Sequence, residues 1–312
     1  MKKRILIAGV TGFLGGALKE YIARREPGIE VLGLTRRRGG SSGLLPADLT
    51  DPVKTAALLR RVRPDYVFQF CGGDRGDPAQ LFSSQFLATR GLLDAILKTG
   101  LLRIRVVIPG SAAEYGRPAA KHRLMTETDA LRPESWYGFI KWMQTSLGLF
   151  YARRSGLDVV VARIFNVAGA GTPERLVAGQ FAFQIARIEA GRRSPVIETN
   201  GLSSRRDFID VADLCAGLLT VARQGRKGET YNICSGRAHS VRELLQRLLK
   251  EAGKKNIKVR ERRDKGSGSF DVIGSNAKIR KELGWSPTIS LAESLRQTLD
   301  YYRRRTGGGG RS

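Results

Sequence analysis

The feature that most constrains the fold is a glycine-spaced loop near the start of the chain. Glycines stand three residues apart at positions 9, 12 and 15, between an apolar run at residues 4–8 and a helical pattern. At such a junction, glycines allow a tight turn, close approach of the backbone to a pyrophosphate, and close packing of helix on strand. The helix start adds N–H groups that favour phosphate. The cofactor-binding residues predicted here are Gly9, Thr11, Gly12, Phe13, Leu14 and Gly15.

Short β-branched runs alternate with helical patterns through the first half of the chain, which is typical of βαβ units on a parallel sheet. Strands are predicted at residues 4–8, 30–34, 66–70, 105–108 and 159–164. Helices are predicted between them at residues 15–25, 52–61, 81–99 and 137–155. Later helices are predicted at 176–190, 211–223, 241–252 and 291–304, with short strands at 195–198 and 229–233.

This order predicts the α/β class, with a Rossmann-like doubly wound parallel sheet and a smaller C-terminal α/β substrate domain. Residues 1–168 are expected to form the dinucleotide-binding domain, to which parts of 200–235 return. Residues 169–306 are expected to form most of the substrate-binding domain, and 307–312 a disordered tail.

Cysteine and histidine usage excludes several classes of site. Cys71, Cys215 and Cys234 are far apart and odd in number, which favours a reducing compartment, the cytoplasm, over a disulfide framework. With only His122 and His239, neither a His-rich zinc site nor a Ser-His-Asp triad is expected, and no metal is predicted. No run reaches the roughly 18 apolar residues of a membrane span, so no membrane partner is expected.

The net charge of +25 attracts polyanions, which brings nucleic acid into consideration. However, the basic residues are spread along the whole chain, without an RNA-binding aromatic signature or a zinc-finger or helix-turn-helix spacing. An arginine-rich solvated surface is therefore favoured over a dedicated nucleic-acid site. Substrates and cofactors that are themselves phosphates fit the charge equally well.

The end of the second predicted strand favours NADP(H) over NAD(H). An NAD site often has a carboxylate there to bind the ribose hydroxyls, whereas this chain has Arg36 followed by two further arginines. A guanidinium can pair with a 2′-phosphate, although the three arginines also suit a solvated loop. Asp48 and Leu49 are expected to contact the adenine, but a lone aspartate at such a position is as often a turn former.

Tyr137 and Lys141 stand one helical turn apart, on one face of a predicted helix. A charge about 4 Å away, at an effective dielectric of about 20, is worth roughly 4 kcal/mol. Such a neighbour lowers the pKa of a tyrosine from near 10 toward neutrality, so that the phenol can act as acid or base. Ser111 follows the strand predicted at 105–108 and completes a candidate catalytic set.

Together these segments resemble the extended short-chain dehydrogenase/reductase family, the NAD-dependent epimerases and dehydratases. The resemblance covers residues 4 to about 302. Within the family, the chain is most similar to the branch of GDP-mannose 4,6-dehydratases and GDP-4-keto-6-deoxymannose reductases. The segments that carry the resemblance are the glycine loop, residues 110–116 (GSAAEYG), the Tyr137/Lys141 pair, residues 163–166 (RIFN), 206–208 (RDF) and 231–236 (YNICSG).

The resemblance implies a role for each polar candidate. Ser111 would hydrogen-bond the reacting oxygen, and Tyr137 would exchange its proton. Lys141 would hold the nicotinamide ribose and lower the pKa of the tyrosine. Asn166 and Arg206 would bind the nucleotide sugar, Arg206 through its pyrophosphate.

Several positions depart from the family pattern. The segment that begins at Cys71 replaces an Ala-Ala pair over the cofactor, and Gln85 stands where asparagine is usual. Phe183 replaces a basic residue that similar reductases direct at the phosphates, and residues 264–270 lack a usual Arg-Pro. The further cofactor contacts implied by the resemblance are Cys71, Gly72, Gly73 and Ile164.

The favoured activity is NADPH-dependent reduction of a nucleotide-linked 4-keto-6-deoxy sugar. A 4,6-dehydratase is disfavoured because Ala112 and Ala113 stand where similar dehydratases carry acids, and methyl groups transfer no protons. Glu114 is one position off, and in an extended segment it would point to the other face. A 4-epimerase with retained NAD needs the same groups as the reductase and stays open. So does a non-catalytic homologue that binds RNA or another polyanion.

Similar enzymes pair as homodimers through a four-helix bundle that corresponds to the helices predicted at 81–99 and 137–155. Both helices carry apolar residues, and a homodimer is therefore expected. The apolar residues assigned to this face are Phe86, Leu93, Trp142 and Leu149.

Overall fold

The computed structural model describes most of the chain. It covers residues 2–36, 43–73, 76–118, 120, 123–253, 256–262 and 271–307. Some positions used above lie outside these described residues, namely Arg37, Arg38, His122, residues 264–270 and residues 308–312. Gly307, which we expected in the tail, ends the last helix instead.

Strands and helices alternate along the chain. The strands are β1 (Arg4–Ala8), β2 (Glu30–Thr35), β3 (Leu44–Pro46), β4 (Tyr66–Gln69), β5 (Arg105–Ser111), β6 (Leu124–Met125), β7 (Val159–Ile164), β8 (Asn166–Ala168), β9 (Val196–Asn200), β10 (Arg205–Asp210), β11 (Thr230–Ile233), β12 (Ala238–Ser240), β13 (Lys258–Arg262) and β14 (Ile273–Gly274). The helices are α1 (Phe13–Arg25), α2 (Pro52–Val62), α3 (Pro78–Leu81), α4 (Ala88–Thr99), α5 (Trp136–Ser155), α6 (Val177–Glu189), α7 (Val211–Gln224), α8 (Val241–Ala252), α9 (Ala277–Leu283) and α10 (Leu291–Gly307). A π-helical segment, Phe82–Leu87, joins α3 to α4, and a 3₁₀ turn, Ala112–Glu114, follows β5. Within the described ranges, none of the helices combines the length and apolar character needed to cross a membrane.

The largest sheet among the described residues has seven parallel strands in the order β11-β7-β5-β4-β1-β2-β3. The strand order reverses between β1 and β4, which makes the carboxyl ends of these two strands the topological switch point where such sheets bind ligands. Helices pack on both faces of the sheet, α1 and α7 on one and α2, α4 and α5 on the other. This architecture confirms the predicted fold class.

The second half of the chain contributes to two cores. Strand β11 pairs with β7 in the large sheet, and α7 packs against β5 and β7. In contrast, α6, α8 and α10 pack on one another around a separate cluster that includes Phe181, Leu244 and Leu299. The division at residues 168 and 169 into a cofactor domain and a substrate domain stays a prediction.

Several bounds differ from the sequence prediction. The single helix predicted at 81–99 begins earlier, at Pro78, and its first half contains the π-helical segment. A π segment adds one residue to a turn, and this shift of one position lies within the tolerance with which apolar spacing is matched to a helix, so the pattern does not reveal it. Strand β10, sequence RRDFID, was not predicted because its charged residues hide the alternation, although its last four residues are buried.

The apolar face predicted for dimerisation is partly wrong. Leu93 is fully buried within the core of the chain itself, and Leu149 packs against the same core. Of the four residues, Trp142 is exposed and Phe86 is half-buried. Two aromatic residues of α5 that we had not assigned to this face are more exposed than the four predicted ones. They are Trp136, which is 64% exposed, and Phe150, which is 54% exposed.

The glycine loop brings α1 into direct contact with the switch point. Gly9 has a φ of +78°, and a Cβ there would lie 2.5 Å from the carbonyl oxygen of Phe70, at the end of the neighbouring strand. A Cβ on Gly15 would lie 2.4 Å from the Gly9 carbonyl oxygen. Gly12 is the N-cap of α1 and provides no capping side chain. The sequence prediction that three glycines make this turn is therefore supported by contacts at each end of the loop.

We expect Gly15→Ala to lower the free energy of unfolding by about 1–3 kcal/mol, because its methyl group would overlap a backbone carbonyl that cannot move aside. Gly16→Ala is the matched control, since a Cβ there would lie 3.5 Å from the nearest backbone oxygen. This second substitution should raise the free energy of unfolding by about 0.5–1 kcal/mol. Urea unfolding of both variants measures the difference. Equal stability of the two variants would contradict the close packing at residue 15.

Candidate active site

A cavity of about 770 Å³ opens at the carboxyl end of the central sheet. The residues that follow β1, β4, β5 and β7 form its floor, and the first turns of α1, α5 and α6 form its walls. A second cavity of about 280 Å³ adjoins it at the switch point. The two cavities share the wall residues Gly9, Gly12, Phe70 and Gly72.

The three predicted catalytic residues line the larger cavity together. Ser111 ends β5, and Tyr137 and Lys141 lie in the first two turns of α5. The start of α5 comes close to the Ser111 turn because residue 138 is glycine. A Cβ at Gly138 would lie 2.4 Å from the carbonyl oxygen of Ala113. The Ser135 hydroxyl caps the helix by accepting a hydrogen bond of 3.1 Å from the Gly138 N–H.

The hydroxyl of Ser111 is oriented by its own turn. Its oxygen accepts a hydrogen bond of 3.2 Å from the Ala113 N–H, as in a capping serine. A hydroxyl that accepts in this way retains its proton for donation. The capping role and the predicted role toward a substrate oxygen are therefore compatible in one residue.

Lys141 is buried, with 7% of its surface exposed, and is held by two acceptors. Its ammonium donates to the Pro109 carbonyl and to the Gln144 side-chain oxygen, both at 2.9 Å. Burial lowers the pKa of Lys141 to about 8, although Glu114 and Cys71 oppose the shift. Burial therefore brings the pKa of this ammonium closer to neutrality than that of a solvated lysine, which suits proton chemistry.

Glu114 is fully buried and does not line either cavity. The expectation that residues 112–114 are extended is wrong, because they form the 3₁₀ turn, yet the carboxylate does point away from the cavity. It accepts hydrogen bonds of 2.7 Å from the Ser111 N–H and 3.1 Å from the Thr145 hydroxyl. It also forms an ion pair of 3.0 Å with Arg163, which is 3% exposed. Arg163 in turn donates to the Tyr115 hydroxyl at 3.0 Å.

The predicted cofactor-binding residues all line one of the two cavities. Those on the larger cavity are Gly9, Gly12, Phe13, Leu14, Gly15, Gly72, Gly73, Tyr137, Lys141 and Ile164. Those on the smaller cavity are Gly9, Thr11, Gly12, Arg36, Asp48, Leu49, Cys71 and Gly72. At the boundary between the cavities, the uncapped start of α1 offers backbone N–H groups where no side chain intervenes. This glycine-lined cradle fits a dinucleotide, which would extend from one cavity into the other.

The smaller cavity contains both features expected of an adenosine site. Arg36 is exposed at the edge of this cavity, and its positive charge interacts with the Asp48 carboxylate. Asp48 is also a turn former, since one carboxylate oxygen accepts from the Thr50 hydroxyl at 2.7 Å and from its N–H at 3.0 Å. The hydroxyl hydrogen bond is the main cause that lowers the pKa of Asp48.

Burial raises the pKa of the Cys71 thiol to about 11, so it stays protonated.

The substrate side of the larger cavity carries Asn166 and Arg206. The Asn166 amide donates to the Asp207 carbonyl at 3.1 Å and so joins β8 to β10. Burial lowers the pKa of the Arg206 guanidinium, and Asp271 opposes the shift. Phe183 does not line this cavity, because its ring packs against that of Tyr302 at 5.6 Å.

Sequence reasoning missed other residues of the cavity wall, because no motif marks them. Two are charged, Glu134 before α5 and Arg175 before α6, and others such as Phe208 and Val272 are apolar. Glu134 forms an exposed ion pair of 3.3 Å with Arg117. As far as the described residues extend, no group of three or more His, Cys, Asp and Glu side chains is arranged to hold a metal ion.

Comparison with known proteins agrees with this geometry. The sequence model of the NAD dependent epimerase/dehydratase family matches residues 5–234. The chain belongs to this family. The resemblance drawn from the motifs is thereby confirmed, and the matched range includes the glycine loop and the Tyr137/Lys141 pair.

The chain is 29% identical to GDP-6-deoxy-D-mannose reductase from Pseudomonas aeruginosa, over 98% of its own length and 99% of the relative. It is 28% identical to dTDP-6-deoxy-L-talose 4-dehydrogenase (NAD(P)(+)) from Kitasatospora kifunensis, over 94% of each chain. The solved structure of RMD from Pseudomonas aeruginosa complexed with NADPH has a TM-score of 0.86 and 29% identity, and covers 98% of this chain and 99% of that one.

We expect Glu114→Gln to lower the free energy of unfolding by about 3–5 kcal/mol, because it leaves the Arg163 charge buried without a counter-ion. Glu293→Gln is the control, since Glu293 forms an exposed ion pair with Arg296 within α10. This control should leave the free energy of unfolding nearly unchanged. Denaturant unfolding of both variants measures the difference. A small effect at residue 114 would contradict the structural role of the pair.

Proposed function

We propose that the protein is an NADPH-dependent reductase of a nucleotide-linked 4-keto-6-deoxy sugar, with GDP as the nucleotide. The observation that carries the proposal is the arrangement of the larger cavity. Ser111, Tyr137 and Lys141 line it beside a glycine cradle for a dinucleotide, while Ala112 and Ala113 present no acid to the same space. Relatives named as a GDP-6-deoxy-D-mannose reductase and as an NADPH complex support the substrate and the cofactor.

The chain's own residues supply binding and proton transfer. Arg206 binds the pyrophosphate of the sugar nucleotide, and Asn166 contacts the sugar. Ser111 donates a hydrogen bond from its hydroxyl to the 4-keto oxygen and so holds the carbonyl in place. Tyr137 donates a proton to the same oxygen as negative charge develops on it. Lys141 binds the ribose next to the nicotinamide and, while charged, favours the phenolate that remains on Tyr137.

When bound, NADPH would supply the hydride for reduction of the C4 carbon. The 2′-phosphate of its adenosine half would lie in the smaller cavity, where Arg36 provides the positive charge.

Dehydration needs additional acid and base groups near the sugar. The methyl groups of Ala112 and Ala113 line the cavity beside Ser111, and the nearby carboxylate of Glu114 is held in its ion pair with Arg163. The carboxylate of Glu134, on the cavity wall, is paired with Arg117. A missing positioned acid or base reduces a rate about 10²–10⁴-fold. We therefore favour reduction over dehydration.

We also propose that the chain forms a homodimer and acts in the cytoplasm. The exposed aromatic residues of α5 and the stacked rings of Phe82 and Phe86 in the π-helical segment are candidates for a homodimer surface. Pairing through these helices in two copies would form a four-helix bundle. We expect the protein to act in the cytoplasm, where nucleotide sugars and NADPH are present.

We expect Tyr137→Phe to reduce turnover of a GDP-4-keto-6-deoxyhexose by at least about 100-fold, because the phenol that protonates the substrate oxygen is lost. Loss of NADPH absorbance measures the rate. NADPH binding, followed by fluorescence, should be retained. Tyr301→Phe, in α10 and away from the cavity, is the control. If the wild type binds dinucleotide but does not oxidise NADPH with this substrate, the reductase assignment is wrong and epimerase assays follow.

We expect Arg36→Ala to weaken NADPH binding about tenfold or more while leaving NADH binding nearly unchanged, because only NADPH offers a phosphate to the guanidinium. Dissociation constants for both cofactors measure the preference. Arg24→Ala, at an exposed position in the last turn of α1, controls for the loss of a positive charge. Equal weakening of both cofactors would contradict the assignment of the 2′-phosphate to Arg36.

A further inference from the structure

A chain of hydrogen bonds lies behind Lys141, on the side away from the cavity. The Lys141 ammonium donates to the Gln144 side-chain oxygen at 2.9 Å, and the Gln144 amide nitrogen donates to the Thr89 hydroxyl at 2.8 Å. Thr89 donates in turn to the backbone carbonyl of Gln85 at 2.6 Å. Gln144 and Thr89 are fully buried, and Gln85 lies in the π-helical segment. The chain therefore ends on backbone that no side-chain motion can displace.

The chemistry of its members gives this chain one direction. A lysine ammonium donates hydrogen bonds and cannot accept them, so the Gln144 oxygen must face Lys141. The nitrogen of the same amide then faces Thr89, whose hydroxyl accepts this bond and gives its own proton to a carbonyl. A flipped amide would place two donors against each other at Lys141. The orientation of Gln144 is consequently set by its partners.

Two carbonyl oxygens thus fix two of the three protons of the Lys141 ammonium. Pro109, at the end of β5, holds one, and Gln144 holds the other. The third is left for the cavity that Lys141 lines. When Lys141 is neutral, both of its N–H groups remain with the carbonyls, and its lone pair takes the place of the third proton. The proton that Lys141 exchanges is therefore the one at the cavity.

We propose that Gln144 is a positioning residue for the reaction. It holds the Lys141 ammonium so that the exchangeable proton faces the cofactor, and it favours the charged form of Lys141. This inference rests on the proposed function, because it assigns Gln144 a role through Lys141. Gln144 itself does not line the cavity and is not expected to touch substrate or cofactor.

Among the described residues, few other charged or titratable groups near the first half of α5 affect the charge of Lys141. Tyr137 lies one turn before Lys141 on the same helix. Glu134, just before α5, lines the same cavity and is paired with Arg117. Glu114, from the 3₁₀ turn, and Cys71, which follows β4, are the groups that interact electrostatically with Lys141. Glu114 is already paired with Arg163 from β7. Asp94 and Arg90 of α4 lie toward the far end of α5, where Asp94 accepts from Tyr151.

The direct test follows the ionisation of Lys141 by NMR, in protein labelled with ¹³C at the lysine Cε and free of cofactor. Lys141→Arg assigns the signal. The wild-type midpoint is expected near pH 8. Gln144→Met removes an acceptor from the charged form and should lower the midpoint by about one pH unit. Gln144→Glu places a negative charge there and should raise the midpoint by about one pH unit or more.

Gln184→Met is the matched control. Gln184 is a buried glutamine on α6 whose amide also makes a donor and an acceptor bond, in this case to the backbone of Glu198. The Gln184→Met substitution should lower the free energy of unfolding without moving the midpoint of the Lys141 titration. If Gln144→Met does not fold, Thr89→Val removes the group that anchors Gln144 and should move the midpoint in the same direction by a smaller amount.

The pH profile of kcat/KM extends the test to the reaction. Its alkaline limb should move to lower pH in Gln144→Met and to higher pH in Gln144→Glu, which a general loss of packing would not produce. A wild type without turnover would refute the proposed function, while the NMR titration would still decide the role of Gln144. Folded Met and Glu variants with unchanged Lys141 midpoints would overturn the inference.

Discussion

A carboxylate and a guanidinium buried together beneath the active-site turn hold this part of the molecule in place. Glu114 accepts from the backbone of Ser111 and from Thr145 of α5, and it pairs with Arg163 of β7. The network continues through Tyr115, whose hydroxyl donates to Asn232 of β11 at 2.8 Å. One ion pair thereby connects β5, β7, β11 and α5. Burying two charges is costly, and the geometry holds only because the carboxylate and guanidinium satisfy each other and their neighbours.

The same pair narrows the chemistry of the cavity. Because Glu114 is bound beneath the turn, the residues that face the substrate beside Ser111 are the methyl groups of Ala112 and Ala113. In the proposed reaction, Tyr137 would carry the proton transfer near the reacting carbon, with Lys141 behind it. A site with these groups suits addition of hydride and a proton to a carbonyl better than removal of water from a sugar. The interaction that stabilises the turn thus also limits which member of the family this chain can be.

Most of the fold and the main site residues could be predicted from sequence, because they depend on local patterns. Strands β1 and β7 and helix α8 have the predicted bounds, since each is a short run with a clear period. The glycine loop is recognisable from its spacing between a strand and a helix, and the Tyr137/Lys141 pair from its spacing together with that loop and Ser111. The hydrogen-bonding role of Gln144 depends on Thr89, which is 55 residues away in sequence, so no local pattern reveals it. Arg175 likewise reaches the cavity only because α6 begins there.

Two departures from the family pattern, Gly72 and Gln85, depend on each other because the two residues lie in contact. Gly72 has a φ of +100°, and a Cβ there would lie 2.3 Å from the Gln85 Cγ, while the Gln85 amide donates to the Gly73 carbonyl at 2.7 Å. The longer side chain at 85 therefore occupies the space that an alanine at 72 would need. Asparagine at 85 would also carry a Cγ, so an alanine at 72 would require the backbone to leave its positive φ as well as a shorter side chain at 85. Because Gly72 and Gly73 line the cavity, the shape of the cavity wall here is set jointly by the glycines and by Gln85, and a substitution at either position alone should alter it.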